Sequence, residues 1–164
     1  MLHFYQRVFR QHDEDGNKRT LMVLSKELLE ELLDGTIPIT SKSALVSITS
    51  PIETPPKIAD FPELHIFRMQ FQDMTREDEE DAPTAASFEG LKEFVDSMAD
   101  VSVFIVQCGA GLSRSAGVAQ AICEYLNWHD NDDNKTISLR DLGFFPNNLV
   151  YRLCKKELEG NDNV

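Results

Sequence analysis

The chain has 164 residues, of which 41% are hydrophobic and 9% aromatic, a composition typical of a folded globular protein and not of a disordered chain. Its formal net charge of -12 disfavours binding to nucleic acid or to anionic lipid, because those partners are also negative. No apolar run approaches the roughly 20 residues of a membrane span, and the first residues lack a signal-peptide pattern. We therefore expect one soluble, cytoplasmic domain over residues 1–164, with its core at about 20–158.

Strands and helices alternate along the chain. The first apolar run predicts a strand, and the leucine stripe after it predicts a helix. Two more strand patterns and an acidic loop follow. A helical pattern, a fourth strand and two final helical patterns complete the chain. The strands are expected at 20–25, 43–51, 65–71 and 101–107, and the helices at 26–35, from Ser87 onward, at 115–128 and at 146–158. This order predicts a three-layer α/β domain with a central, mainly parallel sheet of four to five strands flanked by helices.

The three cysteines differ in their surroundings. None of them forms a close pair with another in the sequence, which is typical of a reducing compartment. Cys123 and Cys154 fall within apolar helical patterns and are predicted to be small buried hydrophobic residues. Cys108 instead follows the fourth strand and precedes a glycine, so a chemical role is expected for it.

The sequence CGAGLSRS, residues 108–115, lies where ligands bind in parallel α/β folds, between a strand end and a helix start. Gly109 and Gly111 allow the backbone amides to turn inward, and the following helix adds its unpaired N–H groups. Such a loop suits a divalent oxyanion, on which Arg114 can place a bidentate fork. The same positive field favours the thiolate of Cys108. A nucleophile at the base of an anion cradle is suited to attack on phosphorus.

Two other interpretations of this loop compete with an oxyanion site, namely a nucleotide-binding loop and a purely structural turn. A nucleotide-binding loop would need the Lys-Ser/Thr pair of a Walker motif or the full G-x-G-x-x-G spacing, and GAGLSR has neither. A purely structural turn with an inert cysteine is the remaining alternative.

The residues QCGAGLSRSAGVA resemble the signature loop of the cysteine-dependent protein tyrosine and dual-specificity phosphatases, which reads His-Cys, five residues, Arg, Ser/Thr. Cys108, Gly111, Arg114 and Ser115 match that pattern, and so does the Ala110–Gly111 pair. The resemblance covers roughly residues 20–158, but only the signature loop is strongly specific.

The resemblance implies a role for each matching residue. Cys108 would be the nucleophile that forms a cysteinyl-phosphate intermediate, and Ser115 would donate its hydroxyl to the departing sulfur. Arg114 would stabilise the phosphoryl oxygens in the transition state. The phosphate-binding backbone would be that of Gly109, Ala110, Gly111, Leu112, Ser113 and Arg114. Ser115 is also a good helix N-cap residue, and the two roles are compatible.

The family also uses an aspartic acid as general acid, on a loop between an earlier strand and the helix before the signature strand. Asp73, at the end of FRMQFQDM and about 35 residues upstream of Cys108, occupies the position that similar small phosphatases use. Asp78 and Asp81 lie further along the same loop and are the alternatives. For each of them taken alone, a solvated loop charge is the competing explanation.

Gln107 departs from the family pattern, which has His before the cysteine. Because Gln forms hydrogen bonds but carries no charge, we expect a less stabilised thiolate and modest turnover. The loop interior has no further basic residue, which makes a phosphoinositide headgroup a less suitable substrate, and the short chain favours a shallow, dual-specificity-like pocket.

The segment Asp130–Asp141 has acidic or amide residues at its first, third and fifth positions, as in a calcium loop. It has Lys135 where the turn glycine belongs and Asp141 where a bidentate Glu is expected, so we interpret it as an acidic turn. The histidines show no metal-ligand spacing, and neither a cofactor nor a metal is expected.

The resemblance therefore implies a phosphatase acting on a phosphorylated protein or small phosphomonoester, with phosphotyrosine first and phosphoserine or phosphothreonine as further substrates. The alternative is a catalytically weak relative that binds phosphorylated partners in the same cradle. An arsenate reductase or rhodanese-like sulfur carrier also uses an anion-binding cysteine loop, but Asp73 and Ser115 fit dephosphorylation better.

Overall fold

A six-stranded sheet forms the centre of the computed structural model, which describes residues 7–12, 16–130 and 135–160. Its strands in chain order are β1 (Arg7–His12), β2 (Lys18–Leu24), β3 (Ser43–Thr49), β4 (Leu64–Gln70), β5 (Val103–Gln107) and β6 (His129–Asp130). They lie side by side in the order β4-β3-β5-β2-β1-β6. The four strands from β2 to β5 are parallel to one another, which confirms the α/β class and the mainly parallel sheet.

Two strands were not predicted. β1 pairs antiparallel with β2, and the two-residue β6 pairs antiparallel with β1, so the sheet has six strands and not four to five. Neither segment contains an uninterrupted apolar run, and both extend one edge of the sheet through backbone hydrogen bonds.

The described residues contain four α-helices and a 3₁₀ helix, of which the last follows β6 and the others lie between strands. They are α1 (Lys26–Leu32), the 3₁₀ helix (Ala85–Phe88), α2 (Leu91–Ser97), α3 (Arg114–Tyr125) and α4 (Asn148–Glu159). The helix predicted from Ser87 is thus two pieces, because Gly90 adopts a left-handed conformation with φ 87° between them. None of the helices in the part of the chain that the structure describes is long and apolar enough to cross a membrane.

The helices cover both faces of the sheet and make the domain three-layered. On one face, Leu28, Leu29 and Leu33 pack against Leu45 and Ile105, as the leucine stripe predicts. The other face carries the larger core, to which α2, α3 and α4 contribute apolar residues. Alternate strand positions serve the two cores, as expected for strands buried on both sides.

Cys123 and Cys154 are fully buried in the larger core, which confirms their prediction as small hydrophobic residues. Burial in apolar surroundings raises the pKa of the Cys154 thiol, with a smaller contribution from the charge of Glu157. This buried thiol is therefore held in its neutral form.

Candidate active site

The parallel strands bring four loops to one edge of the sheet. Cys108 follows the carboxyl end of β5, and Asp73 lies three residues beyond β4. Glu53 follows β3, and Lys26 begins α1 directly after β2 and Ser25. Because β5 lies between β2 and β3, the loop that begins at Cys108 is surrounded by the other three.

Backbone hydrogen bonds fix the loop 108–114 against the start of α1. The amide of Cys108 donates to the carbonyl of Leu24 at 3.3 Å, and the amide of Lys26 donates to the carbonyl of Gly109 at 3.1 Å. Gly111 has φ 73°, and a Cβ atom built there would lie 2.6 Å from the carbonyl carbon of Leu24. Only glycine fits this close approach, which explains the second glycine of the loop.

The thiol of Cys108 lies at the base of the loop and is 2% exposed. The amide of Gly111 donates to its sulfur at 3.3 Å, and the hydroxyl oxygen of the fully buried Ser115 lies 3.2 Å from it. The sulfur also faces the first turn of α3, whose unpaired N–H groups and dipole favour a negative charge. An amide donor, a hydroxyl group and a helix start thus lie close to the predicted nucleophile.

Of the two predicted roles of Ser115, the structure tests the N-cap role. Ser113 occupies the N-cap position and α3 begins at Arg114, so Ser115 lies within the first turn and is not the N-cap. The N-cap prediction for Ser115 is wrong because the helix begins earlier than the apolar pattern indicated. Its hydroxyl oxygen lies 3.2 Å from the sulfur of Cys108 and accepts a hydrogen bond from the thiol.

Arg114 is buried at the end of the loop, with 8% of its surface exposed. Its Nη1 donates to the Oγ of Ser50 at 2.9 Å and to the carbonyl of Phe71 at 3.0 Å. Its Nη2 lies 3.2 Å from the position of a Cβ atom at Gly109, at the opening of the loop. Within the described residues Nε and Nη2 make no hydrogen bond, so this edge of the guanidinium can bind an oxyanion.

Glu53 is an acidic neighbour of Arg114 that the sequence analysis did not single out. Its Oε1 accepts a hydrogen bond from the amide of Ser50 at 2.9 Å and lies 3.7 Å from Nη1 of Arg114. The pKa of Glu53 is lowered, first by the hydrogen bonding of Ser50 and then by the positive charges of Arg114 and Lys26. Partial burial of the carboxylate opposes this shift. An ionised carboxylate therefore lies beside the guanidinium, with its Oε2 3.1 Å from the position of a Cβ atom at Gly109, at the same opening of the loop.

Asp73 is the only one of the three candidate acids for which the described contacts reach the loop. Its Oδ1 accepts hydrogen bonds from Ser113 Oγ at 2.9 Å and from Asn147 Nδ2 at 2.8 Å. Asp78 pairs with Arg76 on the surface, with 2.7 Å between Oδ2 and Nη2. Asp81 is exposed in a turn with φ 58°, where its carbonyl accepts a hydrogen bond from the amide of Gln72.

Asn147 connects this acid to the rest of the site, and the sequence analysis missed it. The step from Pro146 to Asn147 predicts a helix start, but the side chain of Asn147 contacts a loop 74 residues away in the sequence.

Gln107, the residue before Cys108, is buried, and its Oε1 accepts a hydrogen bond from Ser47 at 2.6 Å. The residue before the thiol is thus held by a neutral hydrogen bond.

The described residues contain no cluster of three or more His, Cys, Asp or Glu side chains that could hold a metal ion. The calcium-like segment Asp130–Asp141 lies partly outside the described residues, at 131–134. Its described part is held by Gln120, which donates to the carbonyl of Ile137 and accepts from the amide of Leu139.

The chain matches no protein-family model, and the comparisons with curated proteins and with solved structures give no match either. The protein has an α/β fold in which the loop that contains Cys108 and Arg114 lies at the carboxyl edge of the parallel strands.

Proposed function

We propose that the protein is a cysteine-dependent phosphatase that hydrolyses phosphomonoesters through a cysteinyl-phosphate intermediate. The observation that carries the proposal is the arrangement of the loop, in which Cys108 Sγ has Gly111 N and Ser115 Oγ within 3.3 Å, and Nη2 of the buried Arg114 lies 3.2 Å from the Cβ position of the next residue, Gly109. An anion cradle, a nucleophile and an acid on a neighbouring loop are the groups that phosphoryl transfer through a thiolate requires.

In the first step the thiolate of Cys108 attacks phosphorus, the S–P bond forms and the P–O bond to the leaving group breaks. Arg114 and the loop amides stabilise the charge on the equatorial oxygens. Asp73, in its protonated form, gives its proton to the leaving oxygen. Such a proton transfer contributes a factor of about 10²–10⁴ in rate.

In the second step water attacks the cysteinyl phosphate, and the carboxylate of Asp73 takes a proton from that water. The S–P bond breaks and inorganic phosphate forms. The hydroxyl of Ser115, 3.2 Å from the sulfur, donates a hydrogen bond to the departing thiolate. Cys108 is then again a thiolate and Asp73 is again protonated, so the enzyme is ready for the next turnover.

The substrate class we propose is a phosphorylated protein or small phosphomonoester, with phosphotyrosine first and phosphoserine and phosphothreonine after it. Cys108, Cys123 and Cys154 form no disulfide, which fits a cytoplasmic setting, and the net charge of -12 is unfavourable for nucleic acid. A binding module without turnover is the second candidate, and the neutral Gln107 beside the nucleophile is the observation that favours it.

Hydrolysis of para-nitrophenyl phosphate tests the proposal. Cys108→Ser should abolish turnover, whereas Cys123→Ala, which removes a buried thiol away from the site, should retain it. Vanadate should inhibit the wild-type protein and a chelator should not. Full activity of Cys108→Ser would contradict the proposal. Tight binding of a phosphotyrosine peptide without any turnover by the wild-type protein would favour the binding module.

A further inference from the structure

Asn147 joins three elements of the candidate site. Its backbone amide donates to the carbonyl of Ser113 at 3.1 Å, which ties the start of α4 to the phosphate loop. Its side-chain Oδ1 accepts from the amide of Val150 at 3.1 Å and caps α4. Its Nδ2 donates to Asp73 Oδ1 at 2.8 Å and to the carbonyl of Met74 at 2.9 Å. Asn147 itself is 4% exposed, whereas Asp73 is exposed, so the contact between them is partly buried.

The two oxygens of Asp73 have different surroundings. Oδ1 accepts from both Asn147 and Ser113, whereas Oδ2 has no hydrogen-bond donor among the described residues. A proton on Oδ1 would oppose two donors that already point at this oxygen. Oδ2 is therefore the oxygen that can carry a proton.

We propose that Asn147 is the positioning residue of the general acid: it holds Asp73 at the phosphate loop before substrate arrives and leaves Oδ2 to carry the transferred proton. This inference rests on the proposed function. When the P–O bond breaks, the Oδ2–H bond breaks and its proton joins the leaving oxygen. When water later attacks the cysteinyl phosphate, Oδ2 takes a proton from that water.

The capping and positioning roles of Asn147 can be separated because they use different atoms. Asn147→Asp keeps an oxygen for the amide of Val150, and Asp caps helices as well as Asn does. The same change replaces Nδ2 by an oxygen, so it removes both donations and places a second carboxylate beside Asp73. Asn148→Asp adds the same charge at the next residue, which is exposed, and serves as the matched control.

The experiment compares two substrates that differ in their need for an acid. Para-nitrophenyl phosphate has a good leaving group, and a phosphoserine peptide has a poor alkoxide leaving group. In Asn147→Asp we expect kcat for the phosphoserine peptide to fall by about 10²-fold, the lower end of general-acid contributions, with a much smaller fall for the aryl substrate. The alkaline limb of the pH–rate profile should move to higher pH. Asn148→Asp should behave as the wild type.

Two further measurements keep the test independent of folding. Asn147→Ser retains a capping oxygen but is too short to reach Asp73, so it should show the same dependence on the leaving group without the added charge. In a double-mutant cycle, Asn147→Ser should cost almost nothing once Asp73→Asn is present, since the two residues then act as one unit.

Equal losses for both substrates, or additive effects in the cycle, would overturn the positioning role while the phosphatase activity of the wild type remained. Activity of Cys108→Ser would instead overturn the proposed function itself. The two failures are therefore distinguishable.

Discussion

Ser47 and Gln107 are paired neighbours on β3 and β5, and the hydroxyl of Ser47 donates to Oε1 of Gln107 at 2.6 Å. Both side chains are almost completely buried. Since Gln107 directly precedes Cys108, the proposed nucleophile, this bond holds the strand end from which the loop 108–114 departs. The contact does not depend on a titrating group, in contrast to the histidine that the family pattern has at this position.

Ser47→Ala should destabilise the domain by about 1–3 kcal/mol, because it leaves the amide oxygen of Gln107 buried without this donor. Equilibrium unfolding in urea measures the change. Ser102→Ala, at an exposed position before β5, should change the free energy of unfolding by much less. Equal effects of the two substitutions would show that the Ser47–Gln107 bond contributes little.

Gly111→Ala should abolish phosphate binding by the loop, because the added Cβ would lie 2.6 Å from backbone atoms of Leu24 and Ser25. Gly143→Ala is a matched control, since Gly143 also has a positive φ of 95° but no atom lies within 4 Å of its added Cβ. Both variants lose the backbone freedom of glycine, so only the loop variant should lose vanadate binding, measured by calorimetry. Normal vanadate binding by Gly111→Ala would contradict the described loop geometry.

Asp73→Asn should lower kcat for a phosphoserine peptide by about 10²–10⁴-fold, because Asn cannot supply the proton to the leaving oxygen. Asp78→Asn removes a carboxylate of the same loop that pairs with Arg76 on the surface, and it should leave kcat within a factor of a few. Steady-state kinetics of the two variants decide between the candidate acids. A larger loss in Asp78→Asn would assign the acid to that residue.

The carboxylate of Glu53 should stabilise the fold in a pH-dependent way. Its pKa is lowered from the ordinary value of 4.5, so its contribution is present above about pH 4.5 and is lost as the pH falls through the lowered value. The stability advantage of the wild type over Glu53→Gln should therefore shrink on acidification, as urea unfolding at several pH values can measure. An advantage that stays constant in acid would exclude an ionised Glu53 beside Arg114.

The parallel part of the fold could be predicted from the sequence because its strands and helices carry strong periodic signals. Residues of β3 are buried along the whole strand, and the leucines of α1 form one stripe, so each pattern was visible locally. The antiparallel strands β1 and β6 could not be predicted, since their pairing depends on backbone groups and not on an apolar run.

The candidate site likewise has one part that the sequence predicts and one part that only the structure shows. Cys108, Arg114 and Ser115 lie within eight consecutive residues whose spacing is informative by itself. The contacts of Asp73 with Asn147, and of Glu53 with Arg114, join residues that are distant in sequence and meet only because the parallel sheet gathers its loops at one edge. A local sequence pattern cannot predict contacts between residues that are so far apart in the chain.

Direct detection of the cysteinyl phosphate tests the central claim. Asp73→Asn is mixed with para-nitrophenyl phosphate and quenched in acid, and the peptide that contains Cys108 is analysed by mass spectrometry. Loss of the base for the second step should let the intermediate accumulate, so we expect the mass of one phosphoryl group on Cys108, and none in Cys108→Ser. Turnover of the substrate with no phosphoryl group on Cys108, or with one on another residue, would contradict the account.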